Sequence, residues 1–585
     1  QTGALHSLAT LLRDDKALMS LIGSPDGTVA VPDTARSIAI AALAQLSGRR
    51  PVVVACPTST MAAQLADDIK AFMPAGDVML FPAWETLPFE RVSPSVETMG
   101  RRLEVLWRLQ SEDRTPQIIV ASMRALLQQL GPDTATNQPV IIRQGMSLDP
   151  DELMRTLVNG GYRREDLVEH RGEVARRGAI IDVFPSTADA PIRIDLWGDE
   201  VDRLTNFSVH DQRSDNDLDE VAIFPARELI LNEAVRERAA SMVASEPWGR
   251  EHWERLSEGA LFDGMESWLP WLTTSPTLLS DVLPRGSKML LIEPRRMRDR
   301  AADLLAEEAD LAKALASSWA RDAERDFPRL YSPPDRLLSE TRGSWNLIPV
   351  ADGPDMPLME ASGWGAMGAS GDGIAERMRT LLSQGYRVVV AADGEGSAQR
   401  LSEIFSNAGL QLDIYHELTD GKAPNLASKG GAIVVTSLHR GFSIPSAKVA
   451  VITEADITGR RRSHRQPRPK KREGGTVFED LKTGNYVVHY IHGVAKYEGM
   501  VKRTVGGIER DYLLLAYKGG DKLYVPSDQI DTVRHYVGGE TPVLHRLGGS
   551  DFARSKSKVR SAVREIAQEL VVLYQKRVSA QGHAF

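Results

Sequence analysis

Between residues 27 and 130, short apolar runs alternate with amphipathic stretches, the pattern of βαβ units feeding a mostly parallel sheet. Val29–Val31, Pro51–Cys56, Val78–Phe81 and Ile118–Ala121 are predicted strands, with helices from about Ala35, Thr60 and Met123. From residue 140 the period shortens: GYRREDLVEHRGEVARRGAIIDVFP and PIRIDLWGDEVDRLTNFSV predict short strands and tight turns. Gly198-Asp199 stands between the alternating runs Ile192–Trp197 and Val201–Phe207, which predicts a hairpin. A small α+β domain fits residues 130–212. Residues 213–350 are mixed and partly helical, with a buried strand predicted at MLLIEP, 289–294. A second α/β block follows at about 371–458, with strands Arg387–Ala391, Ala432–Thr436 and Val449–Thr453 and helices near 374–384 and 397–408.

The pattern then breaks. Arg460, Arg461, Arg462, Arg465, Arg468, Lys470, Lys471 and Arg472 crowd a segment with two prolines and no apolar residue, which predicts a solvated linker. Residues 482–538 read as all-β: YVVHYI, KYEGMV, RDYLLLAY and KLYVP, separated by Gly506-Gly507 and Gly519-Gly520, suit a small barrel. From Asp551 to about Val578, apolar residues at 559, 563, 566, 570 and 573 trace a helix stripe, predicting a rigid connector.

Composition adds exclusions. With 71 Lys+Arg against 79 Asp+Glu the net charge is −8, so the chain is not coated for nucleic acid, although the basic run is a local exception. Cys56 is the single cysteine, which excludes an intrachain disulfide and a cysteine-based zinc site. No window approaches the roughly 18 apolar residues of a membrane span, and QTGALHSLATLLRDDK lacks the regions of a secretory signal. The expectation is a cytoplasmic protein with no membrane partner.

Phosphate-cradling chemistry is missing where the fold class leads one to look for it. GxxxxGK[ST] supplies glycines for close backbone approach and a lysine for charge. After the first strand this chain reads VAVPDTARSIAIAAL, with Asp33 where phosphate belongs and neither glycine nor lysine. The acidic pair that closes a magnesium-binding strand is reduced to Glu293 before Pro294. His489 and His492 form a weak metal candidate, since residues three apart on a strand point to opposite faces. Cys56 lies in an apolar strand, as an inert core thiol would. Asp195, Asp199 and Glu200 fit hairpin surface better than an acid/base pair. The basic run 460–472 has two readings, a self-extending tether and a non-specific, salt-sensitive phosphate contact.

Several strings, PAWETLPFERVSP (82–94), GEVARRGAIIDVFP (172–185), GDEVDRL (198–204) and GNYVVHYIHGVAKYEGM (484–500), followed by GGIERDYLLLAY and KLYVP, resemble the amino-terminal part of the bacterial transcription-repair coupling factor family. The resemblance implies a multi-domain α/β protein. Residues 1–129 and 213–350 would form a degenerate helicase-like domain similar to the damage-recognition protein UvrB. Residues 130–212 would be an inserted α+β domain that binds UvrA, and 351–458 an α/β domain of unclear role. A basic linker (459–476) would lead to an RNA polymerase-interacting, CarD-like or Tudor-like barrel (477–550) and a connector helix (551–585). UvrB's DNA-probing hairpin has only PAWETLPFERVSP in its place, which argues against damage verification. The family's motor, with ATP and magnesium, would follow Phe585 and carry the contact with double-stranded DNA; this chain would hold no cofactor and no catalytic site.

By the same resemblance, UvrA would be met by Arg163, Arg177 and Phe184, and the polymerase β subunit by Arg503, Thr504, Val505 and Ile508 on an edge strand. The bland alternatives are Phe184 as core filler and the arginines as ordinary surface. The expected function is transcription-coupled excision repair: binding stalled polymerase, recruiting UvrA, and coupling both to an ATP-driven translocase. Two rivals are an autonomous UvrB-like helicase, opposed by the missing phosphate loop, and a CarD-like transcription regulator with no repair role, opposed by the UvrB-like strings.

Overall fold

The computed structural model describes residues 3–458, except 210–211, 320–326, 339–342, 365–370, 416–425 and 427–429, and residues 483–547, except 490–491, 506–507, 527–532 and 537–541, together with 552 and 554. The chain divides into two compact units, Gln1–His464 and Arg465–Phe585.

In the first unit β1 (Gly27–Ala30), β2 (Val52–Cys56), β3 (Val78–Phe81) and β4 (Ile118–Ser122) form close to where the apolar runs predict them. With β13 (Lys288–Ile292) and β14 (Trp345–Ile348) they make a six-stranded sheet, order β1-β14-β13-β2-β4-β3, parallel throughout. A parallel sheet is covered on both faces, which is why β2, β4 and β13 are buried along their whole length. Hydroxyls close the turns into helices: Thr58 accepts the Met61 amide before Ser59–Lys70, and Ser95 accepts the Thr98 amide before Val96–Leu109.

Residues alternate between two cores. Val52, Val54, Ile118, Val120, Leu290 and Ile292 face the helices Arg36–Ser47 and Ser59–Lys70; Val53, Ala55, Ile119, Ala121 and Leu291 face the opposite layer. The second sheet comprises β15 (Arg387–Ala392), β16 (Asp413–Tyr415), β17 (Gly430–Val435), β18 (Phe442–Ile444) and β19 (Val449–Thr453), in the order β16-β17-β15-β19-β18. Its Val389, Ala391, Val434, Val449 and Val451 join the first core, while Val388, Val390 and Ile433 face its own helices. The second α/β block is therefore continuous with the first. The helix Arg36–Ser47 is apolar nearly all round because both domains cover it.

The inserted domain holds β5 (Val140–Arg143), β6 (Arg163–Arg164), β7 (Glu173–Arg177), β8 (Ile180–Val183), β9 (Ile192–Trp197), β10 (Glu200–Phe207), β11 (Ser214–Asp217) and β12 (Glu220–Ile223). Strands β6 to β11 form one sheet in sequential order, and β12 pairs with β5. The domain thus continues past the expected boundary at 212, because the strand that closes it must return beside the strand that opens it. The predicted hairpin is present: Trp197 pairs with Glu200 and Gly198 has φ of 64°.

PAWETLPFERVSP is folded down onto the interior. Trp84 Nε1 donates to Glu228 Oε2 at 2.7 Å. Arg102 Nε and Nη2 donate to both Glu228 oxygens at 2.8 and 3.0 Å, and Arg102 Nη1 donates to the Pro82 carbonyl at 2.9 Å. Both ionic side chains have 0% exposure. Glu85 accepts from the Ser95 hydroxyl at 2.8 Å, and Phe89 enters an aromatic cluster with Trp271 and Phe327. These bonds tie sheet, helical layer and inserted domain together.

In the second unit β20 (Tyr486–His489), β21 (Gly493–Val505), β22 (Ile508–Ala516), β23 (Lys522–Pro526) and β24 (Val533–His535) form an antiparallel sheet, order β23-β22-β21-β20-β24. No pairing among the described residues closes it into the expected barrel. The Gly506-Gly507 turn and the basic run, Arg460 to Arg472, lie outside the described residues, as does the connector helix except for Phe552 and Arg554, which have helical backbone.

Removing one partner of a dry ion pair strands the other. Arg102→Ala is expected to cost about 3–5 kcal/mol, read as an earlier denaturant transition of the first unit, and Arg102→Met with Glu228→Leu should recover part of it. Equal losses in the two variants would show that position 102 supplies packing rather than charge.

Candidate partner-binding faces

Alternation along β7, β8 and β9 turns Val174, Ile181, Val183, Ile192, Ile194 and Leu196 into the inserted domain's core and the intervening residues to the other face. The register puts Arg163 beside Glu173 and Val174 beside Val183. The Phe184 amide donates to the Glu173 carbonyl at 2.9 Å, so Arg163, Glu173 and Phe184 form one row across three strands. Arg177, opposite Ile180, lies on the same face at the other end of β7. The structure therefore brings all three expected UvrA residues to one surface.

Each is held in place. Arg163 Nη2 lies 3.6 Å from Glu173 Oε1; its side chain is 41% exposed and that of Glu173 2%. Glu173 also accepts the Glu169 and His170 amides at 2.9 and 2.8 Å. Arg177 Nη2 reaches Asp182 Oδ2 at 2.6 Å, with side-chain exposures of 46% and 1%. Asp182 is gripped from the other side by Arg193 at 2.8 and 3.0 Å. The acids lie beneath and the guanidinium groups outside, so this half of the face offers a partner positive charge and N–H donors. Phe184 is half-buried, packed on Val168, Ala175 and Phe207 with the Arg171 guanidinium 5.3 Å from its ring. It is neither core filler nor a free side chain.

The expected phosphate site is occupied by the chain's own charges. Arg36 bridges Asp33 Oδ1 at 2.7 Å and Glu293 Oε1 at 2.8 Å, joining the remnants of both motifs at the ends of β1 and β13. Nearby Cys56 is fully buried, and burial pushes its thiol up to about 12, so it stays protonated. The histidine expectation needs correcting. His489 ends β20 and His492 lies beyond it, so the opposite-face rule does not apply: the rings stack at 4.7 Å and the His492 amide donates to His489 Nδ1 at 3.2 Å. Among the described residues no group of three or more His, Cys, Asp or Glu side chains is placed to hold a metal.

In the second unit, β21 is flanked by β20 only as far as Lys496, and the Tyr497 amide donates to the Asn485 carbonyl at 2.8 Å. The register then shifts at Gly499, whose φ is 119°. From there to Val505 the described pairing is to β22 alone, and β22 meets β23 only from Tyr512. Among the described residues, the backbone of Arg503, Thr504, Val505 and Ile508 therefore lies in a two-stranded stretch of β21 and β22. Trp197 is the exposed residue that motif reading passed over, although the alternation of IRIDLW already assigns it to the outer face.

Three family models match: the UvrB interaction domain at residues 140–229, the MFD D3 domain at 381–457 and the CarD-like/TRCF RID domain at 481–537. Among curated proteins, the transcription-repair-coupling factor of Mycobacterium tuberculosis is 37% identical over 96% of this chain and 48% of its own length. That of Bacillus subtilis is 31% identical over 94% and 48%, and that of Haemophilus influenzae 29% over 94% and 49%. The chain spans about half the length of these relatives.

Arg36 already satisfies two carboxylates, so phosphate would have to displace an internal ion pair beside Asp33. Isothermal titration of the whole chain with Mg-ATP is expected to show no site tighter than about 100 μM, near −5.5 kcal/mol. A saturable site above that affinity would overturn the reading of this end of the sheet as a relic.

Proposed function

We propose that this chain, which carries the amino-terminal domain set of the transcription-repair-coupling factors, joins a stalled RNA polymerase to UvrA in transcription-coupled excision repair. The observation that carries the reading is the coincidence of Arg163, Arg177 and Phe184 on one outer face of a domain that matches the UvrB interaction domain. UvrA would dock there, with carboxylates opposite the guanidinium groups and an apolar contact at Phe184. Polymerase, by its β subunit, would add a strand beside the outer part of β21, backbone pairing giving affinity while Arg503, Thr504, Val505 and Ile508 set selectivity. ATP, magnesium and the main double-stranded DNA contact would belong to a translocase segment outside these residues, and the setting would be the cytoplasm. An autonomous UvrB-like helicase is disfavoured by the Asp33–Arg36–Glu293 bridge. A regulator without a repair role is disfavoured by the inserted domain.

Arg177 can be tested with little cost to folding, since Asp182 keeps Arg193. Arg177→Ala with Phe184→Ser in the whole chain is expected to weaken UvrA binding about 30-fold or more, roughly 2 kcal/mol. Retention of wild-type affinity in a titration against purified UvrA would refute the assignment.

For the second partner, Arg503→Glu should weaken capture of RNA polymerase, and Thr504→Pro should weaken it further if the residue 504 N–H faces the added strand. If both variants bind normally while deletion of 460–472 abolishes binding, the basic segment is the contact and the two-stranded stretch is not.

A further inference from the structure

The outer face of the inserted domain does not end at Arg177. Two residues beyond Asp195 on β9, the same alternation reaches Trp197, which is 82% exposed. So large an apolar side chain is seldom left in water, and nothing about the turn asks for it, since the turn is made by Gly198 and Asp199. It is nevertheless presented rigidly. Trp197 pairs with Glu200, and the Leu196 amide donates to the Ala179 carbonyl at 3.0 Å, fixing the hairpin tip to the turn that precedes β8. Between Trp197 and Phe184 the face carries Arg177 and, beside Asp195, Arg203. At about 3.3 Å per residue the two aromatic rings sit about 20 Å apart. Both ends therefore fit under one partner of ordinary footprint, about 800 Å² per side.

We infer that Trp197 is a second anchor for UvrA at the far end of this face, and that the UvrA surface carries an apolar socket for it and, at a distance from that socket, carboxylates opposite Arg163 and Arg177. The inference rests on the reading that this domain recruits UvrA. An indole fixed by only two side-chain torsions loses little freedom on docking, and arginine and tryptophan are the residues that most often dominate an interface. The guanidinium groups of Arg163 and Arg177, whose own acids lie buried beneath them, supply the charge complementarity.

Titration of UvrA with the whole chain tests this in four arms: wild type, Trp197→Ala, the conservative Trp197→Phe, and Arg177→Ala with Phe184→Ser. Trp197→Ala is expected to bind about 30-fold more weakly with an unchanged melting temperature, and Trp197→Phe to fall between it and wild type. If Trp197→Ala binds like wild type while the double variant is weakened, the second anchor does not exist and the UvrA assignment stands. If both bind like wild type, the UvrA assignment fails and takes the inference with it. Loss of polymerase capture instead of UvrA binding in Trp197→Ala would overturn the inference and give the tip to the other partner.

Discussion

The first unit depends on a dry ion pair. Arg102 and Glu228, separated by 126 residues, meet with no exposure to solvent, and Trp84 and the Pro82 carbonyl complete the set of bonds. A buried pair gains little over an apolar one in stability, but breaking it strands a charge. Only the arrangement that seats the segment after β3, the helix Val96–Leu109 and the exit of the inserted domain together satisfies every member. That constraint makes the inserted domain a fixed outgrowth of the sheet. It also explains why PAWETLPFERVSP is held inside instead of projecting.

The same logic works at smaller scale on the inserted domain's outer face. Glu173 and Asp182 are buried carboxylates with strong partners, and the arginines that neutralise them are thereby held in one geometry with their far sides toward solvent. A binding surface made this way loses little side-chain entropy on docking. The end of the first sheet uses arginine to the opposite effect, where the buried Arg36 guanidinium is paired with Asp33 and Glu293, both more exposed than itself, so carboxylates stand where a phosphate would approach. One side chain type thus lies outward on one face and inward on the other, and what differs is whether the carboxylate or the guanidinium lies outermost.

In the second unit, the proposed contact lies where the described pairing to β20 stops. The shift at Gly499 carries β21 past the end of β20, and among the described residues its outer portion pairs with β22 alone. The proposed polymerase residues lie in that outer portion, and strand addition is the kind of contact such a segment would offer.

Much of this was legible in the chain. Apolar runs such as PVVVAC and the alternation of IRIDLW encode strands and their faces because side-chain direction repeats every two residues, a strictly local property. The missing phosphate loop, the order of modules and the outward parity of Phe184 and Trp197 follow from the same local information. Tertiary structure alone decided which distant residues met: Arg36 with Glu293, Arg102 with Glu228, and Arg163 in a row with Phe184. It also made the second α/β block continuous with the first core, carried the inserted domain past 212, and stacked His489 on His492 where strand periodicity ended. The physical reason is that strand order and chain reversals set these pairings, and neither is written in any one segment. A buried charge declares its partner only once the sheet has brought the two together.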